Sequence, residues 1–124
     1  MATRRQRQVA ELIHRELSLL LMHDTRDPRL AEVTITGVEV TADLLLARVH
    51  FTVMGGAEQE QEALLGFEHA KGYLRTQLAG RVELRFAPDL AFHVDRSAAY
   101  ARRINELLDQ ISTSQRTDNE SETA

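Results

Sequence analysis

The chain has 124 residues, enough for one domain that buries about two-thirds of its unfolded surface. Its 43% hydrophobic residues suit a soluble globular protein, and 5% aromatics without Trp imply an aliphatic core. The absence of Cys excludes disulfides, thiolate metal sites and Cys nucleophiles, and a net charge of −4 is unfavourable for nucleic-acid binding by bulk charge.

Arg4 to His23 reads as an amphipathic helix. Val9, Leu12, Ile13, Leu17, Leu20 and Leu21 form its apolar stripe, and Arg5, Gln8, Glu11, Arg15 and Ser18 lie mostly opposite. Arg4, Arg5 and Arg7 lead into this segment, so the start is no secretory signal, and the cytoplasm is the expected compartment. Cations at a helix start oppose the helix dipole, which hints at a use outside the helix; a solvated, frayed start is the plain alternative. Asp27-Pro28-Arg29 ends the segment, because Pro28 cannot continue a helix.

Val33 to Val40 alternates, with a change of phase at Gly37 that predicts a β-bulge. Thr41-Ala42-Asp43 is a turn candidate. Leu45, Ala47, Val49, Phe51 and Val53 then form a second alternating strand, with Arg48, His50 and Thr52 on its other face. Strands this close in sequence should pair antiparallel.

Gly55-Gly56 breaks the second strand. From Ala57 to Arg81, Leu64, Phe67, Ala70, Leu74 and Leu78 keep helical spacing, but Gly66 and Gly72 sit inside. Each costs an interior helix about 1 kcal/mol against Ala. The expectation is therefore a helix pair bent at Ala70-Lys71-Gly72. A third strand follows through Val82, Leu84 and Phe86 and then Leu90, Phe92 and Val94, interrupted at Ala87-Pro88-Asp89. Asp95 or Ser97 can cap a last helix carrying Ile104, Leu107, Leu108 and Ile111. Residues 1–111 thus read as one α+β domain with helices packed on one face of a three-stranded sheet, and residues 112–124 as a disordered acidic tail.

Four stretches stand in order along the chain: RQVAELIHRELSLLL, DPRL, VTITGVEVTADLLLARVHFTV and HAKGYLRTQLAGRVELRFAPDLAFHVDRS. In that order and spacing the chain resembles the ribosome-binding factor A family. The resemblance implies a type II KH-like fold, in the order helix-strand-strand-helix-helix-strand with a C-terminal helix. KH domains clamp nucleic acid on a Gly-x-x-Gly loop, and this chain has no such loop. The family carries instead an Ala-x-Gly kink, matched by Ala70, Lys71 and Gly72. It also implies a monomer that binds the small (30S) ribosomal subunit or its precursor, supports late maturation and processing of 16S rRNA, and aids growth in the cold.

No Walker loop, nucleophile elbow or dinucleotide fingerprint is present, so no enzyme, cofactor or small-molecule substrate is expected. The five His are scattered; His50 and His93 can meet across neighbouring strands, where a solvated or hydrogen-bonded pair is the better reading than a metal site. The RNA-binding reading rests on cations. Lys71, Arg75 and Arg81 are expected on phosphate, with Gly72 permitting close approach and Arg85 following; Arg4, Arg5 and Arg7 form a second anchor, and Arg26 and Arg29 flank the Asp-Pro turn. The alternative is a protein-interaction module that docks through a sheet edge or the bent helices with little direct RNA contact.

Overall fold

A computed structural model describes residues 2–23, 26–82 and 87–123, with side chains to residue 112. In chain order it comprises α1 (Arg4–His23), a 3-10 turn (Pro28–Leu30), β1 (Val33–Val40), β2 (Leu46–Val53), α2 (Ala57–Arg81), β3 (Asp89–Val94) and α3 (Ser97–Thr123). Three helices and a three-stranded sheet make the α+β arrangement expected, consistent with a KH-like fold.

Thr3 and Gln6 start α1 with a reciprocal cap. Gln6 N donates to Thr3 Oγ1 at 3.1 Å, and Thr3 N donates to Gln6 Oε1 at 2.8 Å. The helix buries Val9, Ile13, Leu17, Leu20 and Leu21. Beyond it, the Asp27 carboxylate accepts from Arg29 N at 2.9 Å, and Pro28 opens the 3-10 turn that drives Leu30 into the core.

β1 and β2 pair antiparallel, and their register slips between Ile35 and Gly37, where the bulge was expected. Asp43 holds the turn, accepting from Thr41 Oγ1 at 2.6 Å and from Leu45 N at 3.0 Å. β3 lies parallel to β2, so the strand order is β1-β2-β3 with α2 as the crossover. The registers place Ile35, Val38, Val40, Ala47, Val49, Phe51, Leu90 and Phe92 on one face. That face meets α1 and α2; Phe67 from α2 packs edge-on to Phe51 at 4.9 Å between centroids and flat on Phe92 at 4.0 Å. The other face carries Thr34, Glu39, Arg48, His50, Thr52 and His93.

Two differences from the sequence reading concern α2 and the start of β3. The expected helix pair is a single helix of 25 residues, and Gly72 lies within it without a positive φ. The local cost of Gly is outweighed by the burial of Phe67, Leu74 and Leu78, because tertiary packing of the apolar face supplies most helix stability. Val82 ends α2 as a buried, extended residue, and β3 is described only from Asp89; Leu84 and Phe86, given to the strand, lie outside the described residues. The last helix, α3, spans Ser97–Thr123. Among the described residues no helix is long and apolar enough to cross a membrane.

The α2 glycines have different jobs. A Cβ at Gly72 would meet nothing within 4 Å, whereas one at Gly66 would stand 3.0 Å from Leu30 Cδ2 and 3.2 Å from Arg29 Cβ. Gly66 therefore lets the 3-10 turn lie close against α2. Gly55, at φ 115°, makes the turn into α2 in a region that side chains rarely adopt.

Candidate nucleic-acid interface

The cations singled out in the sequence separate by what their side chains touch. Lys71 Nζ lies 3.2 Å from Asp89 Oδ1, which joins α2 to the start of β3. Arg75 donates from Nε to Pro88 O at 3.3 Å and from Nη2 to Ala87 O at 3.4 Å, holding the chain that enters β3. Arg81 Nη1 reaches Glu16 Oε2 of α1 at 3.3 Å. Arg29 is bound along one side by Asp27, with Nη2 to Oδ2 at 2.7 Å and Nε to Oδ1 at 3.0 Å, and donates further to His69 Nδ1 at 2.9 Å. Hydrogen bonds from Arg29 hold the Asp27 carboxyl below its ordinary range, and those from Lys71 do the same for Asp89.

Lys71 borders a groove lined also by Leu64, Glu68, Asp89, Leu90, Ala91 and Phe92, in which two carboxylates accompany one ammonium. Gly72 leaves open space over the helix beside it. Arg85 lies outside the described residues.

Arg4, Arg5, Arg7 and Arg26 are exposed, and among the described residues none has a side-chain ion pair or hydrogen bond. Arg7 lines a cleft of about 440 Å³ with Ala2, Gln6, Ala10, Val38, Glu39, Val40 and Arg48. Arg48 was not among the expected RNA contacts. The available signal was its outward place in the alternation of β2, opposite buried Ala47 and Val49.

His50 and His93 do meet, as register partners on β2 and β3 with ring centroids 5.7 Å apart. His50 Nε2 lies 2.8 Å from Glu39 Oε1. Next to them Thr36 Oγ1, at the bulge, donates to Asp95 Oδ2 at 2.6 Å, and Ser97 N donates to Asp95 Oδ1 at 2.9 Å. Hydrogen bonds from Ser97 first and Thr36 second take the Asp95 pKa down to about 2. Asp95 so anchors the root of α3, and Arg96 adds a 2.7 Å contact to Glu60 on α2. Among the described residues no three His, Asp or Glu are grouped to hold a metal.

Comparison with known proteins gives this geometry its context. The model of the family described as "Ribosome-binding factor A" matches residues 5–108. Ribosome-binding factor A of Brevibacillus brevis is 46% identical over 105 residues, covering 85% of this chain and 87% of that protein. The Nitrosomonas europaea protein of the same name is 45% identical over 102 residues, covering 82% and 87%. The crystal structure of ribosome-binding factor A from Thermus thermophilus superposes with a TM-score of 0.65 at 26% identity, over 74% of this chain and 98% of that one. A homology model of the Thermus thermophilus factor, fitted into the cryo-EM map of its 30S complex, gives a TM-score of 0.56 at 25% identity, over 77% and 97%.

Proposed function

Because the chain belongs to the ribosome-binding factor A family, we propose that it is a non-catalytic assembly factor that binds the small (30S) ribosomal subunit or its precursor. The observation that carries this reading is the extent of the match, residues 5–108, which takes in every strand and both packed helices. The neighbour fitted into a 30S complex supports the choice of subunit.

On this reading residues 1–111 are the binding domain, the protein acts in the cytoplasm as a monomer, and its partner is 16S rRNA within the subunit. Binding energy holds one rRNA arrangement while processing and late maturation finish, since a ligand shifts a folding equilibrium by its differential affinity for the two states. Support for growth in the cold belongs to the same reading, because rearrangements of RNA slow as temperature falls. Arg4, Arg5, Arg7 and Arg26 are available for phosphate. Lys71, Arg75, Arg81 and Arg29 would first have to exchange their internal partners.

Sedimentation of the purified chain with small subunits, large subunits and whole ribosomes tests the proposal. Association with small subunits that weakens as salt rises is expected, and no association with any particle overturns it. The second reading, a protein-docking module with little RNA contact, is favoured by one observation: α3 exposes Tyr100, Ile104, Leu107, Leu108 and Ile111 along its length. Salt-insensitive association with a ribosomal protein would select it.

A further inference from the structure

We propose that the principal phosphate-contacting surface is the cleft between the first turns of α1 and the β1–β2 hairpin, with Arg7 and Arg48 as its two guanidiniums and Arg4 one turn before Arg7. This rests on the functional reading above and assigns where on the molecule the RNA backbone lies.

Three observations carry it. The first is elimination by contact. On α2 and at the 3-10 turn, each described candidate cation ends on an oxygen of the protein itself: Lys71 on Asp89, Arg75 on two carbonyls, Arg81 on Glu16 and Arg29 on Asp27. Transferring such a group to a phosphate exchanges one ionic or charge-assisted contact for another, so the gain is small. Arg7 and Arg48 are exposed, and among the described residues neither has a side-chain hydrogen bond or ion pair to give up.

The second observation is geometry. Arg7 and Arg48 line one cleft from two elements that are fastened together there, because Gln6 Nε2 donates to Val40 O at 3.0 Å while its Oε1 accepts from Thr3 N at 2.8 Å. The cleft of about 440 Å³ is lined also by uncharged Ala10, Val38 and Val40, with Glu39 as its one carboxylate. Arg4 stands three residues before Arg7, on the same flank of α1, whereas Arg5 falls on the opposite flank.

The third is the fate of the nearby carboxylates. Glu39 lines the cleft and is the register partner of Arg48; on that same sheet face its Oε1 lies 2.8 Å from His50 Nε2, so the carboxylate already has a partner. Glu11, one turn beyond Arg7, does not line the cleft. A flat guanidinium pair on a fixed frame is suited to phosphate oxygens, which accept two parallel N–H bonds from each fork.

The test is a salt titration of binding, with the full chain and intact small subunits, comparing wild type, Arg7→Ala/Arg48→Ala, Arg7→Lys/Arg48→Lys and Lys71→Ala. Each lost phosphate contact removes about 0.7 to 0.9 from the slope of log affinity against log salt, so the double Ala variant should lose roughly 1.4 to 1.8. The double Lys variant should keep the slope, Lys71→Ala should leave it unchanged, and the cleft variants should unfold thermally as wild type does. A double Ala variant with the wild-type slope, or a Lys71→Ala variant that flattens it instead, overturns the assignment while leaving subunit binding intact. Weaker binding to subunits with unchanged binding to protein-free small-subunit rRNA would give the arginines to an acidic protein surface, which also overturns it. A wild-type chain that binds no subunit fails at the earlier step, the functional reading itself.

Discussion

Along the second half of α2, Lys71, Arg75 and Arg81 each end on an oxygen of the protein; Arg4 and Arg7 at the start of α1, and Arg48 on β2, end in solvent. The first group stitches elements together: α2 to β3 through Lys71 and Arg75, and α2 to α1 through Arg81. The second group stitches nothing. A cation's contribution to a charged surface thus depends on which carboxylates and carbonyls the fold brings within reach, and the overall charge of −4 says little about either region. The contrast makes a simple demand: changes on α2 should move stability and spare the salt response, and changes at the cleft should do the reverse.

The largest effect expected is at the packing centre of α2. Phe67→Ala removes a ring that touches both Phe51 and Phe92, and should cost about 3–5 kcal/mol in chemical denaturation. A cost below about 1 kcal/mol would mean that α2 is not the scaffold described. Gly66→Ala comes next. Its methyl group must push on buried Leu30 and on the Arg29 stem, an overpacking cost of about 1–3 kcal/mol that the better helix propensity only partly offsets. Gly72→Ala should go the other way and stabilise by up to about 1 kcal/mol, since nothing lies within 4 Å of the new methyl and the helix is continuous there. Destabilisation at Gly72 would restore a required kink and return Lys71 to candidacy.

Acid should reveal how α3 is rooted. Asp95 has a folded pKa of about 2, depressed from 3.8, so its contribution is present above the unfolded value and is lost as pH falls through that interval. The wild type should lose stability from about pH 4 downward, with Asp27, Asp43 and Asp89 shifted in the same direction. Asp95→Asn should shrink that loss; an unchanged acid limb in urea midpoints measured against pH would remove Asp95 from the account. The smallest effect belongs to Lys71→Ala, a half-exposed pair whose loss should stay within about 0.5 kcal/mol.

Much of the fold was readable because its signals are local. The α1 stripe, the two alternating strands, the bulge beside Gly37 and the Asp-Pro turn each rest on residues a few positions apart. The parallel seat of β3 beside β2 was not readable, since strand partners separated by a helix leave no mark in either strand. The helix break misled for a physical reason: Gly lowers helix propensity at its own position, but Phe67, Leu74 and Leu78 decide the outcome through contacts with the sheet and α1. Of the two α2 glycines, the one under constraint is Gly66, whose neighbour Leu30 is 36 positions away in the chain. The candidate site was half legible. Arg7 was visible as part of an odd cluster at a helix start, while Arg48 looked like ordinary strand decoration until the hairpin was laid against α1. The partners of Lys71 and Arg81, Asp89 and Glu16, come from distant parts of the chain.

Gln6 bonds to Thr3 on its own helix and to Val40 on the strand edge, and it carries no charge. It adds a polar tie to the apolar packing of Val9 and Ile13, at the end of α1 that carries Arg7. A search for function that scores basic residues alone would pass over this amide, although it fastens the helix that carries Arg7 to the sheet that carries Arg48.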